Sequence, residues 1–171
     1  LAPYADGTVA VSRAVAEHLA GLNVSAQVVP YGVEVPPWRE RPVPDRLRIV
    51  YAGRLESYQK RVLDLVPIAS SLERRGVPFE LAVLGTGDEL QTLLAEGHEQ
   101  VMRRCLWLPG KLARSEVLEQ LADCDAFVLP SAFEGLSLGR LEAMARGAVP
   151  VVSAMRSGRP AQAAIVSRSR G

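Results

Sequence analysis

The run Pro130-Ser131-Ala132-Phe133-Glu134-Gly135-Leu136-Ser137-Leu138-Gly139-Arg140-Leu141-Glu142-Ala143-Met144-Ala145-Arg146-Gly147-Ala148-Val149-Pro150-Val151-Val152 reads as a strand end, a loop of small residues, a helix and a second strand. Just before it, Asp125–Leu129 is a short apolar run of the kind that forms a strand buried on both faces. Pro130 and Ser131 end that strand, and Ser137 is placed to cap a helix running through about Ala145. Leu138, Leu141 and Ala145 recur at helical spacing and are expected to face the sheet. Gly147 falls where a left-handed residue closes a helix, with Pro150 soon after. Two carboxylates, Glu134 and Glu142, therefore lie eight positions apart across a loop-to-helix junction. Such a junction offers an anion backbone N–H groups and the positive end of a helix. Glu142, about one turn into the helix, can accept hydrogen bonds from a diol. Acids beside an anion site suit a ligand bearing both phosphate and hydroxyl groups, such as a nucleotide-sugar.

Working outward, strands are expected near 48–52, 79–84, 105–108, 125–129 and 149–152, alternating with helices. That alternation predicts an α/β fold, a Rossmann-like parallel sheet with helices on both faces and right-handed crossovers. Leu47–Ala52 leads into Gly53-Arg54-Leu55, then Gln59-Lys60-Arg61, then a helix over about Val62–Arg75. Arg54 and Lys60 thus fall at the carboxyl end of a strand, the edge where open α/β sheets bind ligands. Phe79–Leu84 runs into Gly85-Thr86-Gly87 and a helix, and glycine there lets backbone approach a phosphate. A dinucleotide fingerprint would want a third glycine, where Leu90 stands. Cys105–Lys111 gives a further short strand and turn, with Trp107 expected in the core, and Ser115–Ala122 continues as a helix.

The string Pro-Ser-x-x-Glu-Gly-Leu-Ser-Leu-x-x-Leu-Glu-Ala-Met-Ala-x-Gly-x-x-Pro-Val-Val resembles the donor-site motif of retaining glycosyltransferases of family 4, the group 1 enzymes with the GT-B fold. Their hallmark, two glutamates separated by seven residues, is met by Glu134 and Glu142. The resemblance implies that Glu142 binds the donor ribose and that Glu134 contacts the transferred sugar. It also implies that the amides of Gly135, Leu136, Ser137 and Leu138 face the sugar and β-phosphate. Gly53-Arg54-Leu55 followed by Lys60 resembles the family segment whose cations hold the donor diphosphate. Arg54, Lys60 and Glu134 are therefore the expected catalytic residues. Gly85 and Gly87 resemble a turn lining the donor cleft, and Leu108 and Gly110 fall in a loop that borders the nucleotide base. The implied donor is a nucleoside-diphosphate sugar, UDP- or GDP-linked, used in glycan or polysaccharide synthesis with no metal or other cofactor.

Thr8-Val9-Ala10-Val11-Ser12 and Val29-Pro30-Tyr31-Gly32-Val33-Glu34 resemble the family segments that close an amino-terminal domain. The expected organisation is the end of that domain over 1–34, a proline-rich linker over 35–46, a nucleotide-sugar-binding domain over 47–155 and a basic tail over 156–171. The chain starts at Leu1, so it is expected to be the donor-binding half of a two-domain enzyme, inactive without an acceptor-binding domain. Localisation in the cytoplasm, at the inner face of a membrane, is expected by analogy with the family. Residues 153–171 hold four of the 20 Lys and Arg and no acid, leaving 16 cations against 19 acids elsewhere. The net charge of +1 therefore comes from the tail, which argues against a nucleic-acid partner. Cys105 and Cys124 lack metal-ligand spacing and are expected to be reduced core thiols, while His18 and His98 stand apart from any metal-binding cluster. The alternatives are a catalytically silent nucleotide-sugar-binding module, a nucleotide-sugar epimerase of GT-B architecture and a nicotinamide-dependent dehydrogenase domain. The last is disfavoured by Leu90.

Overall fold

The computed structural model describes residues 7–153. Strand β1 (Val9–Ala10) leads into helix α1 (Arg13–Ala20), whose N-cap Ser12 accepts from the Val15 N–H at 3.3 Å. β2 (Gln27–Val28) pairs in parallel with β1, and the two make a small sheet of their own. Residues 29–46 then run without helix or strand to the main sheet.

That sheet holds β3 (Leu47–Ala52), β4 (Phe79–Leu84), β5 (Leu106–Gly110), β6 (Ala126–Leu129) and β7 (Val149–Val152). All pairings are parallel and the order is β5-β4-β3-β6-β7. A 3₁₀ turn (Val62–Asp64) and α2 (Leu65–Arg74) connect β3 to β4, while α3 (Leu90–Glu96) and α4 (His98–Met102) connect β4 to β5. α5 (Arg114–Ala122) and α6 (Leu138–Ala145) complete the alternation. The fold is the Rossmann-like α/β class the sequence predicts. The chain builds outward from β3 to β5, then returns to add β6 and β7 on the other side. The order reverses between β3 and β6, which is where such sheets open a ligand crevice at their carboxyl ends.

Burial explains these elements. β4 is apolar on both faces because helices cover both, and Tyr51, Leu55, Leu65, Leu81, Leu93, Leu121 and Phe127 are almost wholly shielded from water. α6 starts at Ser137, whose hydroxyl accepts from the Arg140 N–H at 3.3 Å. It ends in a six-residue hydrogen-bonded cap: Ala148 N–H donates to Ala143 O and Gly147 N–H to Met144 O, each at 3.0 Å, with Gly147 at φ 89°.

Two expectations about packing are corrected. Leu138 does not face the sheet; it is 39% exposed, because α6 lies on β6 through Gly139 and Ala143 instead. A Cβ on Gly139 would stand 3.2 Å from the Phe127 ring, so helix and strand meet too closely there for a leucine. Trp107 is not core either: β5 is an edge strand, and the indole is 42% exposed. β5 also runs on to Gly110, which the sequence reading puts in a turn. The expected basic tail over 156–171 lies outside the described residues. Among the described residues, no helix is long and apolar enough to cross a membrane.

Candidate functional site

β3 and β6 are neighbours, so the loops that leave them, 53–61 and 130–137, meet on the carboxyl rim at the point of reversal. They are laced together. The Ala132 N–H donates to Gln59 O at 2.8 Å, Gln59 Nε2 donates to Phe133 O at 3.2 Å, and the Tyr58 and Phe133 rings meet edge to face at 5.8 Å. This lacing carries Lys60 to Glu134 across 74 residues of sequence: Lys60 Nζ donates to Glu134 Oε1 at 2.5 Å. Ser131 Oγ donates to the same oxygen at 2.7 Å. The two charged side chains are only 16% and 15% exposed, so their attraction is little screened by solvent. Glu134 Oε2 has no protein partner among the described residues.

Arg54 is exposed, and its Nη2 donates to Gln59 Oε1 at 3.3 Å. Beneath it, Tyr51 Oη donates to Arg54 O at 2.7 Å. Burial pushes the Tyr51 hydroxyl pKa up, with the charges of Glu134 and Glu56 adding to the rise and Arg54 opposing it. Tyr51 is therefore a fixed, protonated donor under the rim.

Glu142 lies in α6 with its side chain 8% exposed. Arg114, the first residue of α5, donates from Nη2 to Glu142 Oε1 at 2.5 Å, and its own side chain is 73% exposed. Glu142 Oε2 has no protein partner among the described residues. Between the two acids, the N–H groups of Gly135, Leu136, Leu138 and Gly139 make no protein hydrogen bond among the described residues. One loop and one helix thus present two anchored carboxylates, each with one oxygen held and one open, around a set of available amides.

Other predicted positions serve the scaffold. A Cβ on Gly85 would fall 1.9 Å from Gly53 O, and one on Gly87 would fall 2.2 Å from Leu55 O. Gly53 N–H donates to Leu84 O and Leu55 N–H to Thr86 O, each at 3.0 Å, and Gly85 N–H donates to Gly110 O at 2.9 Å. The two glycines let the turn after β4 lock onto the loop after β3, and the Gly53 and Gly85 amides are already bonded to protein. Leu108 packs against the core, and Gly110 ends β5, two strands away from β3. Sequence reasoning missed Gln59, Ser131 and Arg114. Ser131 was legible as part of the Pro-Ser pair, whereas nothing in its surroundings marks Arg114.

The cavities elsewhere on the surface do not locate this site. A cavity of about 450 Å³ lined by Arg41, Arg46, Arg48, Glu80, Asp123 and Asp125 lies at the amino ends of β3, β4 and β6, the opposite edge of the sheet. Six of its charged side chains are paired, Arg41 with Asp125 at 3.5 Å, Arg46 with Glu80 at 3.5 Å and Arg48 with Asp123 at 3.1 Å. Among the described residues there is no group of three or more His, Cys, Asp or Glu able to hold a metal ion.

With two acids and a half-buried lysine on one rim, comparison with known proteins decides the family. The family described as "Glycosyl transferases group 1" matches residues 46–167. The chain belongs to that family. It is 31% identical over 162 residues to the lipopolysaccharide 1,6-galactosyltransferase of Salmonella typhimurium, a match covering 88% of this chain and 43% of that protein. Among solved structures it resembles the apo form of the lipopolysaccharide outer core galactosyltransferase WaaB, with TM-score 0.63 and 29% identity over 91% of this chain and 45% of that one. It also shares the fold of Anabaena HepE, solved in complex with UDP-glucose, with TM-score 0.65 and 17% identity over 88% of this chain and 45% of that one. The chain therefore spans less than half the length of each of these proteins.

Proposed function

We propose that this chain binds the donor of a retaining glycosyl transfer, a nucleoside-diphosphate sugar, on the carboxyl rim between β3 and β6. The observation that carries the reading is the sheltered Lys60–Glu134 pair, 2.5 Å apart, in the loop whose amides are open and which leads into the helix that carries Glu142. The leaving group of such a transfer is a nucleoside diphosphate whose negative charge grows as the glycosidic bond breaks, so preorganised positive groups lower the barrier. Arg54, Lys60 and the N–H groups at the start of α6 supply that field, with protein cations rather than a metal. An ammonium has three donors, so Lys60 can hold Glu134 and still reach a phosphate oxygen. The open oxygen of Glu134 accepts from a hydroxyl of the sugar, and the open oxygen of Glu142 accepts from the ribose. The acceptor is bound by a second domain, and transfer requires both. UDP is the favoured nucleotide because HepE takes UDP-glucose.

Titration calorimetry of the chain with UDP, GDP, ADP and NAD tests this. One nucleoside diphosphate is expected to bind, with or without EDTA, and to bind more weakly to Glu142→Ala. NAD binding that is indifferent to Glu142→Ala would instead indicate a dehydrogenase-like domain.

A further inference from the structure

Glu142 has a companion that the sequence does not announce. A carboxylate this buried needs a compensating charge, and the structure supplies one from a different helix. Arg114 opens α5, just beyond the β5 exit, and α5 packs beside α6. The asymmetry of the pair is informative. Glu142 is 8% exposed and Arg114 73%, so the guanidinium stands on the solvent side of the carboxylate. A ligand that reaches the open oxygen of Glu142 from solvent passes alongside Arg114. Only Nη2 is engaged, so the remaining guanidinium N–H donors have no protein partner among the described residues.

Resting on the donor-site reading above, we infer that Arg114 is a positioning residue for the ribose. It holds Glu142 Oε1 and fixes the plane of the carboxylate so that Oε2 points to the incoming hydroxyl groups. Arginine suits this task because its planar fork fixes direction as well as charge, whereas an ammonium supplies charge alone. Discrimination between a ribose and a deoxyribose diphosphate then depends on a residue on α5 as well as on the glutamate that makes the contact.

The test uses the full chain, with UDP and 2′-deoxy-UDP as calorimetric probes and Arg114→Ala, Arg114→Lys and Glu142→Ala as variants. Arg114→Ala is expected to lower UDP affinity about tenfold, the loss of one charge-assisted bond, and to shrink the preference for UDP over 2′-deoxy-UDP. Arg114→Lys is expected to recover part of the affinity but less of the preference. The inference is overturned if Arg114→Ala retains both quantities, loses affinity without losing preference, or binds UDP more tightly, which would make Arg114 an obstacle. If Glu142→Ala binds UDP as well as the parent chain does, the ribose assignment itself fails, a result separable from any outcome at Arg114. Thermal melts of the variants guard against misfolding, and the largely exposed Arg114 side chain makes a large stability change unexpected.

Discussion

Glu142 and Lys60 differ in what their removal leaves behind. Truncating Glu142 leaves Arg114 without its acid and, on the proposed donor reading, a ribose diol without its acceptor. Glu142→Ala is expected to weaken nucleotide affinity by about 1–3 kcal/mol, the cost of stranding hydrogen-bonding groups, and calorimetry with UDP measures it. Truncating Lys60 leaves Glu134 in a sheltered place with Ser131 as its remaining partner among the described residues. Lys60→Ala is expected to weaken UDP more than uridine and to flatten the salt dependence of UDP binding, because the proposed donor reading sets its charge against a phosphate. Equal losses for UDP and uridine would remove Lys60 from the diphosphate contacts. Cys124 makes a separate prediction. Burial pushes its thiol up to about 12 from a usual 9.0, with Asp125 adding to the rise and Arg41 opposing it. A pKa raised on folding stabilises the thiol form, so this contribution is complete below the unfolded value and is lost as pH rises from there towards the folded one. Cys124 is therefore expected to resist iodoacetamide at mildly alkaline pH until the chain is unfolded, as mass spectrometry of the adducts would show.

At the scale of elements, the turn after β4 is the most exacting joint. Gly85 sits at φ 142° with Gly53 O where a Cβ would have to go. Gly85→Ala is expected to cost about 2–4 kcal/mol through overpacking and backbone strain, and to weaken UDP binding indirectly by shifting the loop that carries Arg54 and Lys60. A melt unchanged from the parent would show that the two loops do not depend on each other. The same joint shows what sequence can and cannot carry. β3 and β4 were legible to within a residue, since their apolar runs are bounded by Arg46 and Gly53 and by Pro78 and Gly85. β5 was harder, because an edge strand buries one side only and Trp107 looks the same in sequence whether it points inward or outward. The split of one predicted helix into α3 and α4 at Gly97 left no periodic signal, as α4 has five residues. Leu138 was misassigned because helical spacing sets which residues share a face but not which face meets the sheet, and here Gly139 and Ala143 do so. In the site, Glu134, Lys60 and Glu142 were legible only through the combination of motif and strand order. The Arg114 contact spans 28 residues and follows from how α5 packs on α6, which no local pattern encodes.

Across the whole molecule, the question is how the small β1–β2 sheet is tied to the large one. Residues 29–46 have no helix or strand, and a proline-rich composition alone predicts a loose linker. The structure fastens it. Arg41 Nη1 donates to Cys124 O at 2.9 Å and to Ala122 O at 3.4 Å, and Nη2 faces Asp125 Oδ1 at 3.5 Å. Ala122 ends α5, so the guanidinium meets carbonyls that the helix leaves unpaired as well as the negative end of its dipole. Asp125 in turn accepts from the Arg48 N–H at 2.9 Å, which fixes the start of β3. At the other end, Val11 and Val15 come within 4 Å of where a Gly135 Cβ would stand, so the small sheet's helix leans on the loop that carries Glu134. The segment is thus a strap anchored at the amino edge of the large sheet while the unit it holds touches the carboxyl rim. Arg41→Ala is expected to destabilise the chain by about 1–2 kcal/mol, a fall in melting temperature of roughly 2–8 °C, through the loss of three polar contacts of which two are partly exposed. Hydrogen exchange should quicken at the Arg48 amide, which Asp125 holds where the strap joins β3, and, because α1 leans on the Gly135 loop, the Ala132 amide bonded to Gln59 O should lose protection as well. Faster exchange confined to the Arg48 amide would show that the two sheets are held together without the strap.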